Sequence, residues 1–376
     1  MTVQRIDSPP RLPVVLARGA LASRSKRGPY EGARLPGVRL VLPEADIDTG
    51  RLRAYARVCG FTAPDGDGAG EGERNGRGDA GGGPVPPSYP HIMGFPLAML
   101  LMSQPDFPFP VLGLVHTGIE LTQHRALRPG ERPEISVHTN ALTPHRRGSS
   151  FDVVTEARLG GRLVWHSRST YLCRHRTADG ERGDGAGEFA QREATGPTGA
   201  ASGPQGPRPE PPAAPHPLPV RDHWRLPSGL GRRYARASGD RNPIHLHPLT
   251  AKLFGFPRHI AHGMWTFARA LAATGAADGG EQLTARAEFK APVLLPSTVA
   301  YGMDEPTAPV GNYRAPVRVH RFELRGVHGE TDGGTYGETG SGSGHRNGQG
   351  DGDKGGSGGE KQPRLHLTGE VTSERP

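Results

Sequence analysis

Residues 234–264 read YARASGDRNPIHLHPLTAKLFGFPRHIAHGM, and the breakers and apolar residues in them set the plan of the second half of the chain. Just upstream, Ser228 is placed to cap a helix that carries Leu230, Tyr234 and Ala237 on one face. Gly239 and Pro243 both resist helix continuation, so SGDRNPIH reads as a loop. PLTAKLFGF is then a short helical step ended by Gly255. HGMWTFARALAATG sets Met264, Phe267, Ala268 and Leu271 on one side of a helix, a buried face rich in small residues. Strand-like runs follow: LTARAEFKAPVLL, STVAYGM, APVRVHRFELRGV and, past a glycine-rich tract, RLHLTGEVT. Helices first and an antiparallel meander second make an α+β unit.

The first half repeats this order. VRLVLPE reads as a strand, a helix runs through Tyr55, and PHIMGFPLAMLLM is an apolar helix with Pro96 near its start. GLVHTGIELTQHRAL, EISVHTNALTP, SSFDVVTEARL and RLVWHSRSTYLCR read as strands of a sheet packed on one side. The echo extends to the residues themselves. YARVCGF at 55–61 begins as YARASGD does at 234–240, and HIMGFPLA at 91–98 resembles HIAHGMWTFA at 259–268. In register, Cys59 faces Ser238, Gly60 faces Gly239, and Phe61 stands in the place of Asp240. The chain is a tandem repeat whose first copy keeps the fold signals and lacks the polar ones.

Composition bounds the rest. The chain has 376 residues and a hydrophobic share of only 34%, a deficit that is local. Tracts 62–84, 177–219 and 328–363 hold 31 of the 56 glycines, and their large apolar residues are only Phe189, Leu218 and Tyr336. Such segments bury too little surface to offset the entropy of ordering them and are expected to be disordered. The formal charge is +8. The arginines are scattered without interleaved aromatics, which argues against nucleic acid. Positive charge does suit a phosphate-bearing ligand or an acidic carrier protein. Cys59 and Cys173 are far apart and lack the spacing of a zinc site or disulfide framework. No signal-like segment and no run of ~18 apolar residues is present, so no membrane span is expected and a cytoplasmic setting is the default.

The chemistry lies in the loop. An Asp240–His245 pair around a stiff Asn242–Pro243 can point a carboxylate and an imidazole into one space, the requirement for general acid-base work. On spacing alone, the same residues describe a solvated pair and an ordinary turn. The balance shifts because His262–Gly263 opens a helix with a buried face. Its first amides can hold an oxyanion, and glycine lets a ligand approach the backbone. Acid, base and amide donor are the parts for chemistry beside a carbonyl.

With SGD, NPIH, the A-x3-GF step and IAHGM in one run, residues 234–264 resemble the MaoC-like dehydratases, also called R-specific enoyl-CoA hydratases. The whole chain resembles the double hot dog type of 3-hydroxyacyl-thioester dehydratase, in which an inactive first unit precedes an active second one. The resemblance implies a tandem hot dog fold, each unit an antiparallel sheet wrapped round a central helix (PLAMLLM and GMWTFARALA). It places a tail at 1–30, a catalytically degenerate unit at 31–176, a linker at 177–219 and a catalytic unit at 220–376. It implies reversible interconversion of (3R)-3-hydroxyacyl and trans-2-enoyl thioesters of CoA or acyl carrier protein. Asp240 and His245 would be catalytic, Asn242 would orient them, and the Gly263 amide would hold the thioester oxygen. His262 would hold the loop. No metal and no redox cofactor are implied, and pairing of two chains as a homodimer stays open.

Two rival classes share the fold. A thioesterase would need a carboxylate on the central helix, and residues 264–274 contain none. A non-catalytic acyl-thioester-binding subunit would show decay at both loops. Trp265 is read as core rather than channel, and Arg269 on the same helix is a departure from the family pattern. His116, His124, His138 and His145 fall in strand or turn runs as surface or satisfied-core residues. His247 is expected to face away from the pair.

Overall fold

The computed structural model describes residues 1–23, 26, 30, 32–62, 83–176, 216–277, 282–306, 317–327 and 363–374. The glycine-rich tracts expected to be disordered lie almost wholly outside these residues.

Among the described residues, two hot dog units share one 11-stranded sheet. The first unit holds β2 (Val38–Leu42), α2 (Thr49–Cys59), α3 (Tyr89–Met102), β3 (Leu114–Gln123), β4 (Glu134–His145), β5 (Gly148–Leu159) and β6 (Arg162–Arg174). The second holds β7 (Val220–Leu226), α4 (Leu230–Ser238), α5 (Pro248–Lys252), α6 (Gly263–Ala273), β8 (Leu283–Phe289), β9 (Ser297–Met303), β10 (Val317–Gly326) and β11 (Leu365–Glu374). Across the sheet the strands run β2-β4-β5-β6-β3, then β8-β11-β10-β9-β7. Counted from the start of its own unit, each set has the spatial order 1-3-4-5-2. The two second strands meet at the centre, where β3 and β8 pair antiparallel from Gly118↔Glu288 to Gln123↔Leu283. A two-fold relation between repeats thus follows from the topology itself.

Side-chain period places the cores. On β5, Phe151, Val153, Thr155 and Ala157 are buried at every second position, and on β8 Leu283, Ala285 and Ala287 do the same. α3 packs across β4 and β5, and α6 across β8 and β11. α3 is buried on nearly every side, with Ile92, Leu97, Met99, Leu101 and Met102 all enclosed. Each such side chain contributes roughly 1.5–3 kcal/mol by leaving water, so these two helices anchor their units.

The repeats also meet through α2 and α4. The Tyr55 and Tyr234 rings lie 5.9 Å apart, and Arg51 of α2 donates to the carbonyls of Ala237 (2.7 Å) and Ser238 (2.5 Å) at the end of α4. Both helices stop at a left-handed glycine, Gly60 at φ +78° and Gly239 at φ +82°. The aligned YARVCG and YARASG segments therefore adopt the same helix end. Trp265 is core, as its sequence context suggests: it is buried, and its Nε1 donates to Val58 O of the other repeat at 2.8 Å.

Four features differ from the sequence reading. Residues 1–30 are not simply a tail. They include β1 (Thr2–Arg5), which pairs parallel with β2, and α1 (Leu12–Ser23), which packs on α3 with Val15 and Gly19 buried. α3 begins at Tyr89 with Pro90 in its first turn, which leaves Pro96 inside the helix. Gly229, not Ser228, is the N-cap of α4. β7, an edge strand with exposed Val220, Arg221, Asp222 and His223, lacks the alternation that would announce it.

Candidate active site

The candidate residues come from three consecutive pieces of backbone. Gly239 ends α4 in the left-handed region and turns the chain so that Asp240 starts the loop. Asp240 N–H donates to Ser238 Oγ (3.1 Å), Asn242 N–H to Asp240 Oδ1 (3.0 Å), and Ile244 N–H to Asn242 Oδ1 (3.3 Å). Two successive side-chain-to-backbone turns thus fix the carboxylate and lead into the short 3-10 turn Pro243–His245. Asn242 holds the loop in shape by its own bonds.

His245 is buried, and its Nδ1 lies 2.9 Å from Ile260 O. A carbonyl only accepts, so Nδ1 carries the proton and Nε2 keeps a lone pair. Burial lowers the His245 pKa, against the raising effects of Asp240 and of the Ile260 bond. His262, also buried, donates Nε2–H to Asp240 O at 3.1 Å and stacks on His245 with ring centroids 3.7 Å apart. Burial, and next the His245 ring, hold His262 well below the ordinary imidazole pKa. His262 thereby ties the Asp240 loop to the start of α6. Gly263 is the first residue of α6, and its N–H has no acceptor within the helix.

Ligating atoms of Asp240, His245 and His262 lie within 4.8 Å of one another. One water making two ~2.8 Å hydrogen bonds can bridge such a gap. His245 Nδ1 and His262 Nε2 are each committed to a backbone carbonyl, which leaves one ring nitrogen apiece beside the Asp240 carboxylate.

All five expected residues, Asp240, Asn242, His245, His262 and Gly263, line a single cavity of about 1640 Å³ between the repeats. The first repeat contributes much of its wall, including Ile92, Phe95, Met99 and Met102 of α3. It also contributes residues that the sequence reading did not place at the site. Tyr171 of β6 stacks on His116 of β3 at 4.7 Å, and His116 lies 4.9 Å from the Phe289 ring. Burial, and next the charge of Asp240, raise the Tyr171 pKa, so a neutral phenol faces the loop. His91 is pushed down to about 4 by burial, and His116 to about 3 by burial and then by His91. His116 was expected on the surface or as a satisfied core residue. Instead it lines the cavity, and its Nε2 is shielded from solvent without a hydrogen-bond partner among the described residues. His145 lines the cavity as well, while His247 is exposed and caps α5 through a bond from Leu249 N–H.

Residues 210–307 match the model of the MaoC like domain. Over 266 residues the chain is 34% identical to 3-hydroxyacyl-thioester dehydratase X of Mycobacterium tuberculosis, covering 70% of this chain and 79% of that protein. The chain belongs to the MaoC-like dehydratase family. The crystal structure of HtdX from the same organism superposes with a TM-score of 0.58 at 26% identity, over 89% of this chain and 98% of that one. A MaoC-like dehydratase from Phytophthora capsici shares the fold at a TM-score of 0.55 and 14% identity, over 90% and 96% of the two chains. The family match spans the Asp240–Gly263 segment, and the two superpositions span both repeats.

Proposed function

We propose that the protein is a hydro-lyase that interconverts (3R)-3-hydroxyacyl and trans-2-enoyl thioesters, with Asp240 and His245 as its acid-base pair and the Gly263 amide as its oxyanion donor. The observation that carries this reading is the convergence of a carboxylate, an imidazole with a lone pair on Nε2, and a helix N-terminus on one largely apolar cavity. In dehydration the C2–H bond breaks, the C2=C3 double bond forms, and the C3 hydroxyl leaves as water after taking up a proton. The proton lost at C2 equals the proton gained by oxygen, so one hydrogen-bonded pair can receive and return it. The α-proton of a thioester is weakly acidic, and charge gathers on the carbonyl oxygen as it departs. An amide at a helix start meets that charge.

In this proposal the first repeat does not catalyse. Phe61, buried behind Gly60, stands where an acid would be required. Its contribution is the wall from α3, in a cavity larger than the ~300–1,000 Å³ of an ordinary small-molecule site. That size favours acyl chains longer than crotonyl.

The test follows loss of enoyl absorbance during hydration of trans-2-enoyl-CoAs of graded length. Asp240→Asn and His245→Ala are each expected to lower kcat by about 10²–10⁴ with circular dichroism unchanged. Near-normal turnover in either variant refutes the assignment. Release of free thiol would instead indicate hydrolysis, and binding without turnover would indicate an acyl-thioester-binding subunit.

A further inference from the structure

We propose that the mouth of the cavity is a phosphate-binding collar, built chiefly by the first repeat from Arg146, Arg147 and Arg174 and faced by Arg241 of the catalytic loop. The proposal rests on the thioester reading above and adds how the thioester's carrier is held.

The collar starts in the β4–β5 hairpin. His145 pairs with Gly148, so Arg146 and Arg147 are its two turn residues. Turns of this length favour glycine, asparagine or aspartate, and nothing in the turn calls for two arginines. Gly148 sits at φ +139°, where a Cβ would lie 2.0 Å from Cys173 O, so the hairpin tip lies hard against the end of β6. Gly148 pairs with Arg174, and His175 N–H donates to Arg147 O at 3.2 Å. These bonds bring a third arginine beside the turn. Burial, and next Arg146, Arg147 and Arg174 in that order, depress the His145 pKa, which places three cations around one imidazole.

These side chains are exposed, yet all of them line the cavity that holds Asp240 and His245. Among the described lining residues there are six arginines and one lysine against a single carboxylate, Asp240. Lys290 is paired with Glu288, which lies outside the lining, and the arginines leave the described lining net positive, a balance that draws in an anionic ligand. The guanidinium groups of Arg147, Arg174 and Arg241 meet no carboxylate among the described residues. They remain open to the paired N–H···O contacts that suit a phosphate. A thioester handle that carries phosphate is the matching chemistry: a phosphopantetheine arm, as in CoA or on a carrier protein.

The experiment reads binding apart from turnover. Calorimetric titration of the full chain with CoA is compared for the unsubstituted protein and an R146A/R147A/R174A variant. The variant is expected to bind CoA about tenfold or more weakly, equivalent to ~1.4 kcal/mol, with R146K/R147K/R174K recovering part of the loss. Affinity for CoA should also fall with added salt in the unsubstituted protein and much less in the alanine variant. Titration with 4′-phosphopantetheine separates the two sources. A loss of the same size points to the phosphate common to CoA and carrier proteins, and a loss confined to CoA points to its nucleotide phosphates. Equal CoA affinity in the unsubstituted and alanine proteins overturns the collar. Failure to hydrate any enoyl thioester while CoA still binds through these arginines would overturn the dehydratase reading and leave the collar standing.

Discussion

His245 is ready to accept a proton because its other nitrogen is already committed. With Nδ1–H held by Ile260 O, Nε2 is the basic atom, and burial keeps the ring neutral to lower pH than an ordinary imidazole near ~6.5. The sign follows from the direction of the shift: the accepting form persists as pH falls below that value. The acid limb of kcat/KM for enoyl-CoA hydration is therefore expected below pH 6.5, and a limb at or above it would contradict a buried neutral His245. Asp240, Asn242, His245, His262 and Gly263 could be read from sequence because short-range breakers and spacing bring them together. His91, His116 and Tyr171 could not. They reach the cavity from a helix and two strands of the other repeat, and no local pattern encodes a contact across β3 and β8.

Elements carry the positions that residues exploit. α4 lies so close to the loop that a Cβ on Gly231 would stand 2.0 Å from His245 O, a backbone atom that cannot swing aside. Gly231→Ala is expected to shift the His245 turn and lower kcat by about tenfold or more, through the ~1 Å misplacement that costs a catalytic group its geometry. Helical content would change little, because alanine favours a helix over glycine. Activity equal to the parent in that variant would show that the loop is not held against α4. The differences from the sequence reading also belong to this scale. Tertiary packing overrides a local boundary signal, so α3 carries Pro96 in its interior, and α1 forms from a run too short and broken to announce itself. β7 is invisible because an exposed edge strand has little alternation to display.

The repeat order 1-3-4-5-2 emerges only at the scale of the molecule, since register between distant strands is set by the assembled sheet. Sequence did indicate two related units, through YAR and the helix-opening histidines, but it held no sign that β3 and β8 would be neighbours. Buried His91 and half-buried His116 carry a further consequence there. Their folded pKa values, about 4 and about 3, lie below the ~6.5 of an unfolded chain. Between those values the unfolded chain binds more protons, so the stability they support above pH ~6.5 is lost as pH falls toward 4 and 3. Denaturant midpoints measured from pH 7 to pH 4 are expected to drop, and to drop less in His91→Phe and His116→Phe variants. Parallel slopes in parent and variants would count against these two rings.

The six residue pairs between β3 and β8 make the seam between repeats internal to one polypeptide. Separate subunits joined along such an edge would part on dilution, and any site between them would vanish with the complex. Here both walls of the cavity travel on a single covalent chain. Specific activity should stay constant from micromolar down to picomolar enzyme, as though each molecule carried its own partner.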